Sequence, residues 1–245
     1  MSPSNQVTND HLVLICGTSG GGKSASLRNM PQPEGVIYLN CEAGKKLPFA
    51  SKFKELRITD PQTVFQAFDE AEKLKDVHTI IIDSLTFLME MFESVYVLRA
   101  KDTMKGWSNY QQFFKELMQD KVAKSTKNVI FTAHVDNVLN ENDMVVETVV
   151  PVKGALKKNG LEAYFSTIVT ARKISIGELE KYQNDMLVIT DEDRELGYKY
   201  VYQTKITKDT VHHRIRSSMG MWSVQETYIN NDAVLLMKRL HQYYA

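Results

Sequence analysis

The feature that most constrains the fold is a glycine-rich stretch near the start of the chain. Residues 17–24 read Gly-Thr-Ser-Gly-Gly-Gly-Lys-Ser and fit the pattern G-x-x-x-x-G-K-[ST]. Residues 11–16 before it are mostly apolar, as in a buried parallel strand, and residues 24–30 after it can be helical. Glycines let backbone N–H groups face an anion, and the helix N-terminus adds its positive end. The sequence therefore predicts a phosphate-binding loop; the alternative is a glycine-rich turn that binds nothing.

This loop defines the expected nucleotide site. Lys23 is expected to reach the β- and γ-phosphates, and the Ser24 hydroxyl is expected to be a ligand of Mg²⁺. We therefore expect ATP and Mg²⁺ as cofactors, although the residues alone do not separate ATP from GTP. The nucleotide-binding residues are expected to be Gly17, Thr18, Ser19, Gly20, Gly21, Gly22, Lys23, Ser24 and Ala25.

Three further apolar runs are each followed by a polar side chain: Glu42, Asp83 and His134. Open α/β sheets bind ligands at the carboxyl ends of their strands, so these side chains are expected at the nucleotide. The runs that lead to Glu42 and Asp83 are expected to form strands directly beside the strand of the phosphate loop.

Each of these side chains has an expected role. Asp83 is expected to hold Mg²⁺ through a water. Glu42 can polarise a water for hydrolysis, or it can cap a turn. His134 can bond the γ-phosphate and report hydrolysis, or it can be a histidine with an ordinary structural role.

Length and composition bound the fold. A chain of 245 residues with 43% apolar content can bury one sizeable core, so we expect a single domain over residues 1–245, with residues 1–10 as a flexible tail. The pattern predicts an α/β fold with a mostly parallel central sheet, flanking helices and antiparallel strands toward the C-terminus. Residues 166–173, 186–190 and 197–206 are expected strands, with an acidic turn at 191–193.

The net charge and the lack of targeting signals in the sequence limit the expected partners and location of the protein. Thirty Lys and Arg balance thirty Asp and Glu, so no overall positive field attracts nucleic acid. There is neither an apolar run long enough for a membrane span nor the pattern of a signal peptide, so we expect no membrane and a cytoplasmic location.

Residues 99–127 form one local basic patch: they contain seven Lys and Arg and three Asp and Glu, which gives a net charge of +4. Cations that follow phosphates and a ring that stacks on a base suit single-stranded nucleic acid, which makes Arg99, Lys101, Lys105 and Trp107 candidate contacts. The alternative is a solvated helix face with Trp107 in the core.

A second cationic feature is Arg214-Ile-Arg216. In a strand, residues two apart share a face, so both guanidinium groups are expected to point the same way. They can meet an anion there, or they can be part of a solvated strand edge.

These motifs resemble a known family. The phosphate loop, the strand that leads to Glu42, the Ile-Ile-Ile-Asp83-Ser84 strand and the strand that ends in His134 follow one another as the core motifs of RecA-like recombinase ATPases do, with His134 where the RecA pattern has Gln. Asn40-Cys-Glu42-Ala-Gly44, Trp107 leading a helix, Pro151-Val-Lys-Gly154 and the late Arg-x-Arg are similar to the compact phage members of that superfamily. Those are the RecA-like single-strand annealing proteins, often labelled phage nucleotide-binding proteins.

The resemblance implies a RecA-like P-loop NTPase core that hydrolyses ATP slowly. It implies Glu42 as the base that activates water, and Arg214 and Arg216 as cations against the nucleotide of a neighbouring subunit in a homo-oligomer. It also implies two DNA-facing loops, one near residues 99–107 and one at 135–158 with Lys153, Lys157 and Lys158.

Three functions follow as hypotheses. The first is an ATP-dependent single-stranded-DNA-binding protein of phage recombination or annealing, in a bacterial host, with a single-strand-binding or replication protein as a possible partner. The second is an ATP-switched protein-interaction module, a scaffold or loader that does not bind DNA. The third, a small-molecule kinase, is disfavoured because we find no lid-like arginine cluster.

Overall fold

The computed structural model describes residues 9–141 and 144–245, with the side chains of residues 158 and 159 left out. Residues 1–8 of the expected N-terminal tail therefore lie outside the described residues. The strands are β1 (Leu12–Gly17), β2 (Val36–Asn40), β3 (Lys54–Arg57), β4 (Thr79–Asp83), β5 (Asn128–His134), β6 (Asp136–Asn140), β7 (Val145–Val149), β8 (Ile168–Ser175), β9 (Tyr198–Gln203) and β10 (Tyr228–Asn230). The helices are α1 (Thr63–Lys73), α2 (Leu85–Phe92), α3 (Thr103–Glu116), α4 (Leu156–Asn159), α5 (Ile176–Leu179), α6 (Asp191–Leu196) and α7 (Ala233–Tyr244).

Eight of these strands form one sheet in the order β10-β9-β8-β1-β5-β4-β2-β3. The pairs from β8 to β3 are all parallel, whereas β9 and β10 are antiparallel to their neighbours. Strands β6 and β7 form a separate antiparallel hairpin directly after β5. The expected fold class is therefore confirmed: a mostly parallel sheet with antiparallel strands toward the C-terminus, as in P-loop NTPases.

The order of the strands corrects one expectation. Strand β5 lies between β1 and β4, and β2 lies beyond β4, so the strands that lead to Glu42 and Asp83 are not directly beside the phosphate-loop strand. Strands β2, β4 and β5 are all buried along nearly their whole length, so their apolar patterns do not distinguish their order, whereas β3 is exposed along its length and forms the edge.

The sheet separates two hydrophobic cores. In β1, Leu14 and Cys16 face one core, and Val13 and Ile15 face the other, as expected for the two-residue period of a strand. Helices α1, α2 and α3 cover the first core, while α7 and the 3₁₀ helix Ser24–Asn29 cover the second. Because both faces are covered, the central strands consist of nearly continuous apolar runs, which is why the sequence revealed them.

The antiparallel part of the sheet differs in detail from the sequence prediction. Residues 186–190 do not form the expected strand, although the Asn230 N–H donates to the Met186 carbonyl at 2.8 Å. The prediction of an acidic turn at 191–193 is wrong, because these residues begin α6. Thr190 and Asp193 form a reciprocal capping box, and acidic side chains in the first turn favour a helix.

The phosphate loop is held tightly against β8. A Cβ on Gly17 would lie 2.6 Å from the Ala171 carbonyl oxygen, and one on Gly21 would lie 2.8 Å from the same atom. Gly22 adds a positive φ of 96°, a conformation that side-chain-bearing residues rarely adopt. The glycines therefore allow backbone contact between the loop and the neighbouring strand as well as anion access.

No helix in the described ranges is both long and apolar enough to cross a bilayer.

We expect Gly17→Ala to lower the free energy of unfolding by roughly 1–3 kcal/mol, since the new methyl group would press on a backbone carbonyl that cannot rotate away. Urea denaturation measures the change. Gly177→Ala is the matched control, because a Cβ at Gly177 in α5 has no atom within 4 Å. Equal stability of the Gly17 and Gly177 variants would contradict the close approach.

Candidate functional site

The phosphate loop encloses a buried ammonium group. Lys23 is 6% exposed, and its Nζ donates to the carbonyl oxygens of Gly17 at 2.8 Å and Thr18 at 3.0 Å. Burial lowers the pKa of Lys23, while the carboxylates of Asp83 and Glu42 oppose that effect. The lysine thus lies inside the loop with its charge directed at the space that the loop surrounds.

The Asp83 carboxylate lies at the end of β4 and is 1% exposed. It accepts hydrogen bonds from Ser24 Oγ at 2.8 Å, from the Tyr38 hydroxyl at 2.7 Å and from Thr132 Oγ1. Burial next to this carboxylate strongly raises the pKa of the Tyr38 hydroxyl, which therefore stays protonated as a donor. Three hydroxyl groups compensate one buried negative charge.

These oxygen atoms fit a magnesium ion. Mg²⁺ prefers oxygen ligands and is usually held by one or two protein groups together with substrate phosphates. Ser24 Oγ and Asp83 Oδ2 are the oxygens that would hold it, directly or through water, and both residues line the cleft described below.

His134, at the end of β5, connects Lys23 with Glu42. Its Nε2 lies 3.2 Å from Glu42 Oε1, and its Nδ1 lies 3.5 Å from Lys23 Nζ. A carboxylate can only accept and an ammonium can only donate, so a neutral imidazole with its proton on Nε2 satisfies both contacts. The phosphate-loop lysine, the histidine and the glutamate therefore form one hydrogen-bonded chain.

Glu42 is held as a carboxylate. The pKa of Glu42 is lowered to about 2: the hydrogen bond from His134 is the largest cause, burial opposes it, and the Lys45 ammonium 2.9 Å from Oε2 adds to the lowering. Because the pKa is lowered in the folded state, the interaction stabilises the protein above the ordinary pKa of 4.5, and this contribution is lost as the pH falls toward 2. At neutral pH, Glu42 is ionised, as a residue that accepts a proton from water must be.

A cleft of about 720 Å³ opens over these residues. On one side it is lined by residues 19–25 of the phosphate loop with Tyr38, Glu42, Lys45, Asp83 and His134; on the other it is lined by Val188, Thr190, Asp193, Lys199, Tyr200, Asn230, Asn231 and Asp232. A second cleft, of about 600 Å³, shares Glu42 and His134 and extends toward Glu90. The candidate water-activating carboxylate is therefore reached from two sides.

Residues 10–211 match the family model described as AAA domain. The chain belongs to the AAA domain family. This family consists of P-loop ATPase-type domains, which generally bind ATP and Mg²⁺, and the match includes the phosphate loop, Asp83 and His134. None of the curated proteins matches the chain.

The AAA domain brings the two expected DNA-facing stretches together. Gly154 lies on the ring of Trp107, where a Cβ would be 3.1 Å from Cε3. Arg99, Lys101, Lys105 and Lys157 are exposed, while Lys153 pairs with Glu93 at 2.8 Å. The side chain of Lys158 lies outside the described residues.

Trp107 itself is half-buried rather than exposed. The Asp102 side chain caps α3, which sets the phase of the helix so that Trp107 packs on Tyr110, with ring centroids 5.4 Å apart. The expectation of an exposed stacking ring is therefore not met, and its position fits the alternative, packing against the core. On this helix Met104 faces solvent, at 85% exposure.

Arg214 and Arg216 lie outside the nucleotide cleft of their own chain. His213 and Arg216 form isolated β-bridges, and Arg214 lies between them outside any regular strand, so the shared face expected from a strand does not apply. Arg214 pairs with Glu147 of the β6–β7 hairpin at 2.7 Å, whereas Arg216 is exposed.

Sequence reasoning missed several residues of the site. Thr132 could have been recognised as a site residue, though only weakly: it places a hydroxyl group in a mostly apolar strand, two residues before His134 on β5. Tyr38 lies within an apolar run and gave no signal. The lining residues between Val188 and Asp232 come from a part of the chain without a recognisable motif.

We expect His134→Ala to raise the pKa of Glu42 from about 2 toward 4.5, because the strongest stabilisation of the carboxylate is removed. NMR of the Glu42 carboxyl carbon between pH 2 and 6 measures the shift. In the control Lys45→Ala, we expect a smaller rise. A Glu42 that still titrates near pH 2 without His134 would contradict the assigned hydrogen bond.

Proposed function

We propose that this AAA domain hydrolyses ATP slowly and binds single-stranded DNA in phage recombination or annealing. The observation that carries the ATPase proposal is the chain Lys23–His134–Glu42, because it joins the phosphate-binding lysine to an ionised carboxylate beside the same cleft. A site for nucleotide binding alone would not need this carboxylate.

In the proposed mechanism, each residue has one task. Lys23 and the loop N–H groups bind the phosphates. Mg²⁺, held by Ser24 and Asp83, would neutralise the charge that develops on them. Glu42 orients a water and takes its proton, and its low pKa makes it a weak base, which agrees with slow turnover. His134 keeps Glu42 ionised and in place.

The proposal extends to a subunit interface. Arg214 or Arg216 would approach the nucleotide of a neighbouring subunit and stabilise charge on its γ-phosphate. The second cleft supports this proposal, since it gives access to Glu42 from outside the nucleotide cleft. The homo-oligomer that this arrangement needs is part of the proposal.

DNA binding is supported by the charges around residues 98–105 and Lys157. Among the described residues, Arg99, Lys101, Lys105 and Lys157 have no ion pair, so their charges are available to phosphates. Leu98 is 68% exposed and lies in the same stretch as Met104. Exposed apolar side chains between unpaired cations suit the unstacked bases of a single strand better than a duplex, in which the bases are covered.

A second candidate function, an ATP-switched interaction module, is favoured by the β6–β7 hairpin. This hairpin directly follows His134, and its Leu139 and Val146 form a cross-strand pair with both side chains exposed. An exposed apolar pair on a hairpin that begins next to His134 suits a protein partner. Binding of single-stranded DNA is the measurement that separates the two functions.

For ATP hydrolysis, we expect Glu42→Gln to bind ATP normally but to turn it over about 10²-fold more slowly, because a positioned base typically supplies that factor. Lys23→Ala should instead lose ATP binding, since it removes the charge that faces the phosphates. Calorimetry and a phosphate-release assay measure the two effects. Full turnover in Glu42→Gln would assign the base to another residue.

For the subunit interface, we expect Arg214→Ala or Arg216→Ala to bind ATP and to hydrolyse it poorly, since a cation supplied in trans can be worth about 10³-fold. Mixing the inactive arginine variant with Glu42→Gln should restore turnover at mixed interfaces. Glu147→Gln is the control, because it breaks the ion pair of Arg214 but keeps the guanidinium. Activity that is strictly proportional to protein concentration, without rescue on mixing, would argue against the interface.

For DNA, we expect the double variant Lys101→Ala, Lys105→Ala to bind single strands more weakly and to reduce the slope of log K against log salt by about 1.4, since each lost phosphate contact accounts for about 0.7. The control Lys73→Ala, Lys181→Ala removes two exposed lysines that are already ion-paired. Fluorescence anisotropy with labelled DNA measures both variants. If the wild-type protein binds no DNA in any nucleotide state, the interaction module becomes the preferred function.

A further inference from the structure

One wall of the nucleotide cleft, formed by eight of its lining residues between Val188 and Asp232, has no role in the proposed phosphate chemistry. This wall comes from β9, β10 and the segments beside them, far along the chain from the phosphate loop. The Lys199–Asp193 ion pair, at 2.7 Å, fixes part of this wall, because it ties β9 to α6. A rigid wall of a cleft next to a phosphate loop is where the remainder of a nucleoside triphosphate must lie.

Tyr200 gives this wall an aromatic surface next to the loop. A Cβ on Gly22 would lie 3.0 Å from Tyr200 Cδ1, so the ring is in contact with the phosphate loop itself. The ring is supported by Lys173, whose Nζ lies 5.2 Å from its centroid, and Tyr200 remains 37% exposed. A partly exposed ring that is held in place beside the loop offers a stacking surface for a planar group.

Asn231 gives the same wall an unused hydrogen-bond acceptor. The residue is 5% exposed, and its Nδ2 donates to the Gly22 carbonyl oxygen at 2.9 Å. This bond fixes the amide orientation and leaves Oδ1 buried without a donor. A buried acceptor without a partner is costly, and a fully ionised phosphate has no N–H or O–H to offer it. A hydroxyl or amino group of a bound ligand can supply the missing donor.

We infer that the Tyr200–Asn231 wall is the nucleoside subsite of the cleft: the aromatic base stacks on the Tyr200 ring, and a ribose hydroxyl or a base amino group donates to Asn231 Oδ1. This inference rests on the proposed nucleotide binding and adds the part of the ligand that the phosphate loop does not recognise. It makes Tyr200 and Asn231 the residues through which the protein distinguishes a nucleoside triphosphate from a bare polyphosphate.

Two probes, ATP and inorganic tripolyphosphate, test the stacking surface by calorimetry. We expect Tyr200→Ala to weaken ATP binding about tenfold and to leave tripolyphosphate binding unchanged, since tripolyphosphate has no base. Tyr200→Phe keeps the ring and should bind ATP like the wild type. Tyr198→Ala is the matched control, because Tyr198 lies on the same strand and also contacts Lys173 but does not line the cleft.

The outcomes separate this inference from the function on which it rests. An equal loss of ATP and tripolyphosphate binding in Tyr200→Ala, or no loss of either, would overturn the subsite alone. A wild-type protein that binds neither probe would overturn the nucleotide site together with its subsite.

Three ATP analogues test the acceptor and identify the donor: the 2′-deoxy compound, the 3′-deoxy compound and purine riboside triphosphate, which lacks the 6-amino group. We expect one of them to bind the wild-type protein at least fivefold more weakly than ATP does. That difference should disappear in Asn231→Ala. Equal affinity for ATP and all three analogues would refute the role of Asn231 Oδ1.

Discussion

The site depends on one buried negative charge. An ionised carboxylate in a protein interior is costly unless hydrogen bonds replace its water, and Asp83 receives three of them. The donors come from β2, β5 and the helix after the phosphate loop, while Asp83 itself ends β4. The charge thus ties three adjacent strands and the loop together at the sheet edge where the cleft opens. Structural stability and the position of the oxygens proposed to hold Mg²⁺ have the same cause.

The second organising interaction is the bridge made by His134. An ammonium and a carboxylate can share one side chain only if that side chain accepts at one end and donates at the other. A neutral histidine meets this requirement, and so does a glutamine, which is the residue that the RecA pattern has at this position. The difference from that pattern therefore preserves both hydrogen bonds.

How much of the structure the sequence could predict depends on whether the interactions join residues that are close together in the chain. The phosphate loop and the side chains after β2, β4 and β5 are local features, since turn chemistry and apolar runs appear in consecutive residues. Strand order is not local: placing β5 between β1 and β4 depends on how the strands pair across the sheet, which no single segment encodes.

The errors within single elements have local causes. The capping box that begins with Thr190 was present in the sequence but was masked by an acidic run typical of turns. Trp107 could not be placed because its side depends on where α3 begins, and a shift of one residue turns it by about 100°. Tyr200 and Asn231 meet the phosphate loop through the fold alone, so no spacing reveals them.

The fold also supplies a physical connection between the nucleotide cleft and the basic stretch. Helix α2 begins directly after Asp83 and continues through the π-helical turn Glu93–Val97 to Leu98 and Arg99. A helix of this length spans about 20 Å as one rigid element. Its first turn contacts the Lys23–His134–Glu42 chain, because Thr86 Oγ1 accepts from the His134 N–H at 2.9 Å and the Phe87 ring packs edge-on against the imidazole.

The other end of this helix is anchored to the second expected DNA-facing stretch. Glu93 pairs with Lys153, and Trp107 of the neighbouring α3 packs under Gly154. A displacement of His134 would therefore act on the first turn of α2. The π-helical turn that continues α2 ends next to Arg99, the first of the unpaired cations. Coupling between distant sites requires a rigid element that both sites can bias. In the proposed function, α2 is that element, so a change at the γ-phosphate acts on the basic stretch through packing that is already in place.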